Sequence, residues 1–336
     1  MHFYDAVTLN LRPAGQDLYS RVADQVLARL PIRNITRHVT YWIDEENSFR
    51  RFPKVENESL HNIDGQVLFL YGKKGTFVVI DMTDGPQTAL EASSHPQCMG
   101  VMVSQHRQQE FEKLARHNAN YNVSKLIPGY FSRNDFSFFA EDPHGRYLQS
   151  SFTELPPYTG TIDKLVFAGT IHEHTPERQA LVHLRNHPDV QFYEGRLAQN
   201  GFNHRVIEKE ALIREYASHR GSLALRGTSG FCFREFDLLC GGYPLFMHPF
   251  THASRMEPLI NNEHYFAIEF DPTPEIFAQR IVDRFLQVRG DLALLDKVRR
   301  GGQEWFRRNA EIPTIATNII EWLSSTLAPK NYSDLY

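Results

Sequence analysis

Between Ser222 and Met247 the chain reads SLALRGTSGFCFREFDLLCGGYPLFM. The spacing predicts a strand, a glycine-bearing loop, a helix, a glycine pair and a second strand. Gly227 and Gly230 let the loop backbone approach a ligand closely. Ser229 can cap the helix that starts near Phe231. Such a helix aims free N–H groups and the positive end of its dipole into the crevice at the strand's carboxyl end. Arg226 and Arg234 flank the loop, and guanidinium forks match phosphate oxygens. The chemistry these residues suit is neutralisation of a diphosphate. No GKS or GKT follows and there is no GxGxxG, so neither a P-loop nor a dinucleotide fingerprint is present. The plainer alternative is an ordinary βαβ unit whose arginines pair with Glu235 and Asp237.

A second group of residues could move a proton. In FVVIDMTDGP, Asp81 ends an apolar run and Asp84 sits in the loop after it, where the sites of open α/β sheets form. Asp84 before Gly-Pro is also a turn residue, and Asp81 could serve as a cap. His106, just after the VMVS run, is the competitor. His172 and His174, with Glu173 between them, make at most a partial ligand set, so no metal site is expected. His248 and His252 follow the strand at Tyr243–Met247. A basic, aromatic stretch at Ser48–Lys54, with Arg33, Arg37 and His38, leaves nucleic acid open as a partner, though Asp44–Glu46 partly cancels its charge. Lys73 and Lys74 lie in a turn. Phe136, Phe138 and Phe139 suit core packing.

These residues need elements to hold them. Gln66–Tyr71 and Thr76–Asp81, joined by Lys73–Gly75, read as neighbouring buried strands. Met99–Ser104 is a third strand, followed by a polar helix from about Gln105 to His117, and Asn122–Pro128 is a fourth strand. The segment from Asp142 to Thr161 is rich in Pro, Gly, Ser and Thr and marks a domain junction. Beyond it strands and helices alternate: Lys164–Ala168, Pro176–Asn186, Val190–Tyr193, Ile207–His219, Ser222–Leu225, Phe231–Leu239, Tyr243–Met247 and Tyr265–Phe270. Asp271 is expected to cap a helix running to about Arg289. This alternation means a parallel sheet covered on both faces. A last helix near Thr314–Ser325 is expected to cross back to the first domain.

The 336 residues suggest about two domains at roughly 150 each. Hydrophobic residues at 41% and charged residues at 23% exclude a disordered or collagen-like chain. A net charge of −4 argues against a broadly basic nucleic-acid binder. The three cysteines, Cys98, Cys232 and Cys240, are too few and too scattered for a disulfide framework or a zinc site. A reducing cytoplasm is the expected compartment, with no secretory signal and no membrane span.

The pattern Phe-Arg-x-x-Asp-x-Leu-Cys-Gly-Gly-x-Pro-Leu, from Phe233 to Leu245, resembles the donor-site signature of GT-B glycosyltransferases. The exostosin-like and capsule-associated-protein-like groups are nearest. Arg234, Asp237, Cys240, Gly241 and Gly242 fill the signature positions. Asp237 stands where many relatives carry glutamate. Upstream, KLVFAGTIHEHTPERQALVHL resembles the first strand and helix of the same donor domain, with Gly169, Thr170 and Arg178 in the matching positions. Downstream, Glu263–Tyr265 and Asp271–Glu275 resemble its ending. The resemblance covers residues 164–310.

It implies an α/β protein of two Rossmann-like domains facing a cleft. Residues 1–155 would bind the acceptor, 156–315 the donor, and 316–336 would form a C-terminal helix packed back on the first domain. The implied reaction moves a sugar from a nucleotide diphosphate sugar, UDP-linked by preference, to an acceptor hydroxyl on a glycan or another molecule. No cofactor is obligatory. Arg178, Arg226, Arg234 and the amides of Ser229–Phe231 would stabilise the leaving diphosphate. Thr170, Ile171 and residues near Tyr193–Gly195 would hold base and ribose. The missing Glu-x₇-Glu arrangement leans toward inversion, which needs a general base from the first domain: Asp84, Asp81 or His106. Other readings are a glycosyltransferase acting on hydroxylated bases in DNA, a nucleotide-sugar epimerase, and a nucleotide-binding protein without catalysis.

Overall fold

The computed structural model describes residues 5–9, 18–30, 32, 34–38, 67–72, 76–82, 87–104, 106, 108–132, 140–141, 147–148, 155–169, 171, 175–194, 209–226, 232–249 and 254–326. In the first half these form β1 (Asp5–Leu9), α1 (Leu18–Leu27), β2 (Asn34–His38), β3 (Val67–Tyr71), β4 (Phe77–Asp81), α2 (Gln87–Ser94), β5 (Cys98–Val103), α3 (Gln108–Ala115), β6 (Leu126–Pro128), β7 (Ala140–Glu141) and β8 (Tyr147–Leu148). In the second half they form β9 (Ile162–Gly169), α4 (Pro176–Gln179), α5 (Leu181–Leu184), β10 (Val190–Glu194), α6 (Lys209–Ser218), β11 (His219–Ala224), α7 (Phe233–Gly241), β12 (Leu245–Met247), β13 (Phe266–Ala267), α8 (Pro274–Val288), α9 (Leu292–Asn309) and α10 (Ile312–Thr326).

The first sheet has the order β2-β1-β3-β4-β5-β6. β3 runs antiparallel to both its neighbours, while β1/β2, β4/β5 and β5/β6 are parallel. The two neighbouring strands expected from the apolar runs are present and pair as an antiparallel hairpin, with Val67 opposite Asp81 and Tyr71 opposite Phe77. Alternation along these strands sorts their side chains. Leu68, Leu70, Val78, Ile80 and Met102 face one way, and Val67, Phe69, Phe77, Val79, Val101 and Val103 the other. Both sets are buried, which is why the strands read as unbroken apolar runs.

The second sheet is wholly parallel, in the order β10-β9-β11-β12-β13. The chain leaves β9 for β10 on one side and returns to β11 on the other. The crevice between the carboxyl ends of β9 and β11 is therefore the topological switch point, where open α/β sheets bind ligands. Leu165, Phe167, Leu223 and Leu225 pack on one face with α8, and Val166 and Ala224 on the other.

Several details differ from the sequence reading, beginning with β1, α1, β2 and α2, which it did not anticipate. The fourth strand is short: Asn122 caps a 3₁₀ turn at Val123–Lys125 before β6 begins. α8 has Thr273 at its N-cap position; Asp271 instead accepts the Thr273 N–H at 2.9 Å and pairs with Arg280 at 3.0 Å. α9 was not expected. Gly301 and Gly302 sit inside it, where added Cβ atoms would lie 2.1 Å from the Glu263 carbonyl and 2.6 Å from the His264 carbonyl.

One apolar cluster runs unbroken between the two sheets, from α1 and α10 to α7 and α9. Phe131, just after β6, joins them: its ring lies 5.1 Å from both Phe233 and Phe236 of α7. α10 lies against α1, where Arg29 donates to Thr317 Oγ1 at 2.7 Å. Trp322 of α10 also covers Gly100 of β5.

Candidate functional site

The switch-point crevice gathers the arginines. Arg234 stands in the first turn of α7, and its side chain reaches back over β9. The guanidinium stacks on the Phe167 ring, 4.7 Å from its centroid, and Nη2 donates to the Ala168 carbonyl. Gly169 makes room for it, since a Cβ there would lie 3.2 Å from Nη2. The other terminal nitrogen, Nη1, is buried and meets no acceptor in good hydrogen-bond geometry among the described residues, although the Tyr216 hydroxyl lies beside the guanidinium. An unpaired buried guanidinium nitrogen is costly, on the order of 1–3 kcal/mol or more. A bound oxyanion would remove that cost.

Arg178, on α4, is 7% exposed. Its Nε donates to the Arg226 carbonyl at 2.7 Å and its Nη2 to the Leu225 carbonyl at 3.3 Å. It thus braces the end of β11 rather than leaving its whole fork free. Burial first, and Arg234 second, lower its pKa to about 10, so it remains a cation at neutral pH. Arg226 receives Glu177 on two sides: the backbone N–H donates to Oε2 at 3.2 Å, and Nε lies 3.6 Å from Oε1. Its Nη2 donates to the Pro249 carbonyl. Burial opposes the Arg234 charge, yet Tyr216, Cys232 and Glu235 overcome this and hold its pKa above the ordinary value.

α7 begins after Cys232, whose N–H donates to Glu235 Oε2 at 2.8 Å. Glu235 is 1% exposed. Burial pushes its pKa up to about 7 against the pull of Arg234 and Arg178. Asp237, two residues further on, is buried too. The helix ends on Gly242 with φ +63°, a left-handed cap suited to glycine, and the Tyr243 N–H donates to the Leu238 carbonyl at 3.0 Å. His248 leaves the end of β12 beside this cluster; burial and the nearby Arg226 lower its pKa.

Gly169, Arg178, Arg226 and Arg234 are therefore gathered around the ends of β9 and β11, with Asp237 buried further along α7. Thr170, Gly227, Ser229, Gly230 and Phe231 lie outside the described residues, as do His172, Glu173 and His174. Glu177 and Glu235 complete the cluster. Glu177 carries no sequence signal beyond its place beside Arg178. Glu235 could be found from its position three residues after the N-cap, the spacing of a capping box.

In the first half, Asp81 ends β4 and His106 follows β5, at the carboxyl ends of adjacent parallel strands. Asp81 is 0% and His106 3% exposed. The His106 ring meets Phe111 edge-on at 5.2 Å, and neither ring nitrogen has a hydrogen-bond partner among the described residues. Burial lowers its pKa. Asp84, Arg33, Ser48–Lys54, Lys73, Lys74, Phe136, Phe138 and Phe139 lie outside the described residues, and of Arg37 and His38 only the β2 backbone is described. Among the described residues no three His, Cys, Asp or Glu side chains converge as a metal site, and no helix is long and apolar enough to cross a membrane.

No family model matches the chain, and no curated protein matches it. Among solved structures it is similar to the pneumococcal O-GlcNAc transferase GtfA in complex with UDP and GlcNAc, at 10% identity and a TM-score of 0.42, covering 71% of this chain and 47% of that one. It is similar to a glycosyltransferase from Rickettsia africae ESF-5 at 11% identity and a TM-score of 0.39, covering 74% and 69%. It is also similar to TarM at 10% identity and a TM-score of 0.40, covering 77% and 63%. The chain thus spans about half the length of the first of these, 47%, and all are distant likenesses.

Proposed function

We propose that this protein is a GT-B glycosyltransferase that moves a sugar from a nucleotide diphosphate sugar to an acceptor hydroxyl. One observation carries the reading. Arg234 holds a buried guanidinium nitrogen that meets no well-placed acceptor among the described residues, at the switch point of a parallel sheet and in the first turn of α7. Residues 156–315 are the proposed donor domain, 1–155 the acceptor domain, and 316–336 a C-terminal helix returning to the latter.

In this reading the acceptor oxygen attacks the anomeric carbon as the bond to the diphosphate breaks. The departing electron pair becomes negative charge on the β-phosphate. Arg234 meets that charge directly, helped by the α7 dipole and by the fixed charges of Arg178 and Arg226, and electrostatic stabilisation of this kind needs no obligatory metal. The acceptor proton passes to a base in the first domain: Asp81, Asp84 or His106. Inversion at the anomeric carbon follows from this single displacement. UDP-linked sugars are the first donors to test.

The test is a thermal-shift panel of nucleotides and UDP-sugars, followed by an assay for nucleotide release from the sugar that binds. A ligand held only by the native state raises the melting temperature. The expected outcome is stabilisation by UDP and slow release of UDP from a UDP-sugar. Arg234→Ala should lower that turnover by about 10²–10³, the loss of one electrostatic donor. Binding without turnover would leave a nucleotide-binding protein. Activity within about twofold of wild type in Arg234→Ala would remove the assignment.

A further inference from the structure

The diphosphate reading leaves the most deeply buried acid of the cluster unused. Glu235 is 1% exposed, and its Oε2 accepts the Cys232 N–H, the amide at the start of α7 that a bound phosphate would otherwise take. Charged and titratable groups face this carboxyl from every element around it. Arg234 and the Cys232 N–H at the start of α7 and Arg178 from α4 act on it directly; Tyr216 of α6 stands beside Arg234, Asp237 lies further along α7, and Arg226, two residues past β11, pairs with Glu177 beside His248. The cradle therefore already contains an anion of its own.

We propose that Glu235 is the built-in anion of the α7 cradle and that it takes up a proton when a diphosphate enters. The proposal rests on the diphosphate reading of the same site. A second anion beside a buried carboxylate disfavours the ionised form of that carboxylate. Burial already brings Glu235 to about 7, so the solvent can supply the proton near neutral pH. The step is one protonation: a buffer proton adds to the carboxylate, and no other bond changes. The neutral acid keeps a carbonyl oxygen that can still accept the Cys232 N–H. The helix cap survives while the charge that held Arg178 and Arg234 is removed, and both cations turn their field on the ligand.

The experiment is calorimetric titration of UDP into the full chain at about pH 8, in buffers of different ionisation enthalpy. UDP is fully ionised there, because the second phosphate ionisation lies at about 6. Protons taken up must then go to the protein. The expected result is uptake of up to one proton, with affinity falling by up to about tenfold per pH unit above neutrality. Glu235→Gln keeps an acceptor for the Cys232 N–H. It should bind UDP more tightly at about pH 8, with no proton uptake and a flat pH dependence. UDP binding by the wild type without proton uptake overturns the proposal, as does pH dependence that persists in Glu235→Gln. Inorganic pyrophosphate is the second probe. If it binds with proton uptake where UDP does not bind, the nucleotide reading fails and this one stands. If neither binds to either protein even at about pH 6, both fail.

Discussion

His106 shows how a single residue can separate a structural from a chemical role. It is 3% exposed, with both ring nitrogens unpartnered among the described residues, and burial holds its pKa below the ordinary 6.5. The unfolded chain therefore binds this proton before the folded one does. The stability that neutral His106 contributes is present above about pH 6.5 and is lost as pH falls through that value toward the folded pKa. His106→Leu removes the titration and the buried polar nitrogens together. It should be neutral to stabilising by about 1 kcal/mol near pH 7.5, and its advantage in melting temperature should widen as pH falls from about 7 to 5. An advantage that stays constant with pH would mean that the ring is solvated or paired in the native protein. The same variant reports on the base: a folded protein that binds donor but no longer transfers sugar assigns the role to His106, and undiminished transfer returns it to Asp81 or Asp84. At this scale residue type was legible in the sequence, but side-chain direction was not. Arg226 could be picked out as a cation beside a glycine loop, and Arg178 from the resemblance of its segment to the start of a donor domain. Their bonds to the Pro249, Arg226 and Leu225 carbonyls depend on strand ends brought together only by the fold.

The elements that carry the site were legible where a strand is buried on both faces. β3, β4, β5, β9 and β11 read as apolar runs because two cores, one on each side, demand it. β1 and β2 escaped notice because they are short and their apolar positions are separated by polar ones; α1 carried a signal that the sequence reading passed over, since Leu18, Val22, Ala23, Val26 and Leu27 recur at helical spacing. The antiparallel course of β3 follows from its short connection to β4 and would have been hard to extend to β1. α9 was missed for a sharper reason. Gly301–Gly302 in its middle reads as a break, since each glycine costs a helix about 1 kcal/mol. The structure shows what that cost permits: the helix passes against the Glu263–His264 backbone, closer than any side chain would allow. Gly301→Ala should therefore destabilise the protein despite its better helix propensity, by about 1–3 kcal/mol or more, because the obstacle is backbone rather than a movable side chain. Gly290→Ala is the control. Nothing lies within 4 Å of a Cβ at that position, so the change should be neutral or stabilising by about 0.4–1 kcal/mol. Chemical denaturation of the two variants side by side checks both signs, and equal midpoints would refute the close approach of α9.

For the molecule as a whole, the proposed division into donor and acceptor parts does not imply two independent cores. The apolar cluster between the sheets includes Val22 of α1, Ile315, Ile319 and Trp322 of α10, Phe131 after β6, and Phe236 and Trp305 on α7 and α9. Such continuity predicts that heating unfolds the chain in one cooperative transition. Trp322→Ala tests this from the far side of the molecule. The indole is 3% exposed and covers Gly100 of β5, so its loss should cost about 3–5 kcal/mol. If the core is one unit, calorimetry of the variant shows a single peak displaced as a whole by several degrees, roughly 2 °C per kcal/mol. A saturating ligand in the crevice between β9 and β11 should then raise the same peak. If the halves unfold separately, Trp322→Ala lowers one peak and leaves another in place, and the ligand moves only the peak that the substitution spares. Alignment of Arg234 with an acceptor held by the first half would then depend on the contact of Phe131 with α7 rather than on a shared core.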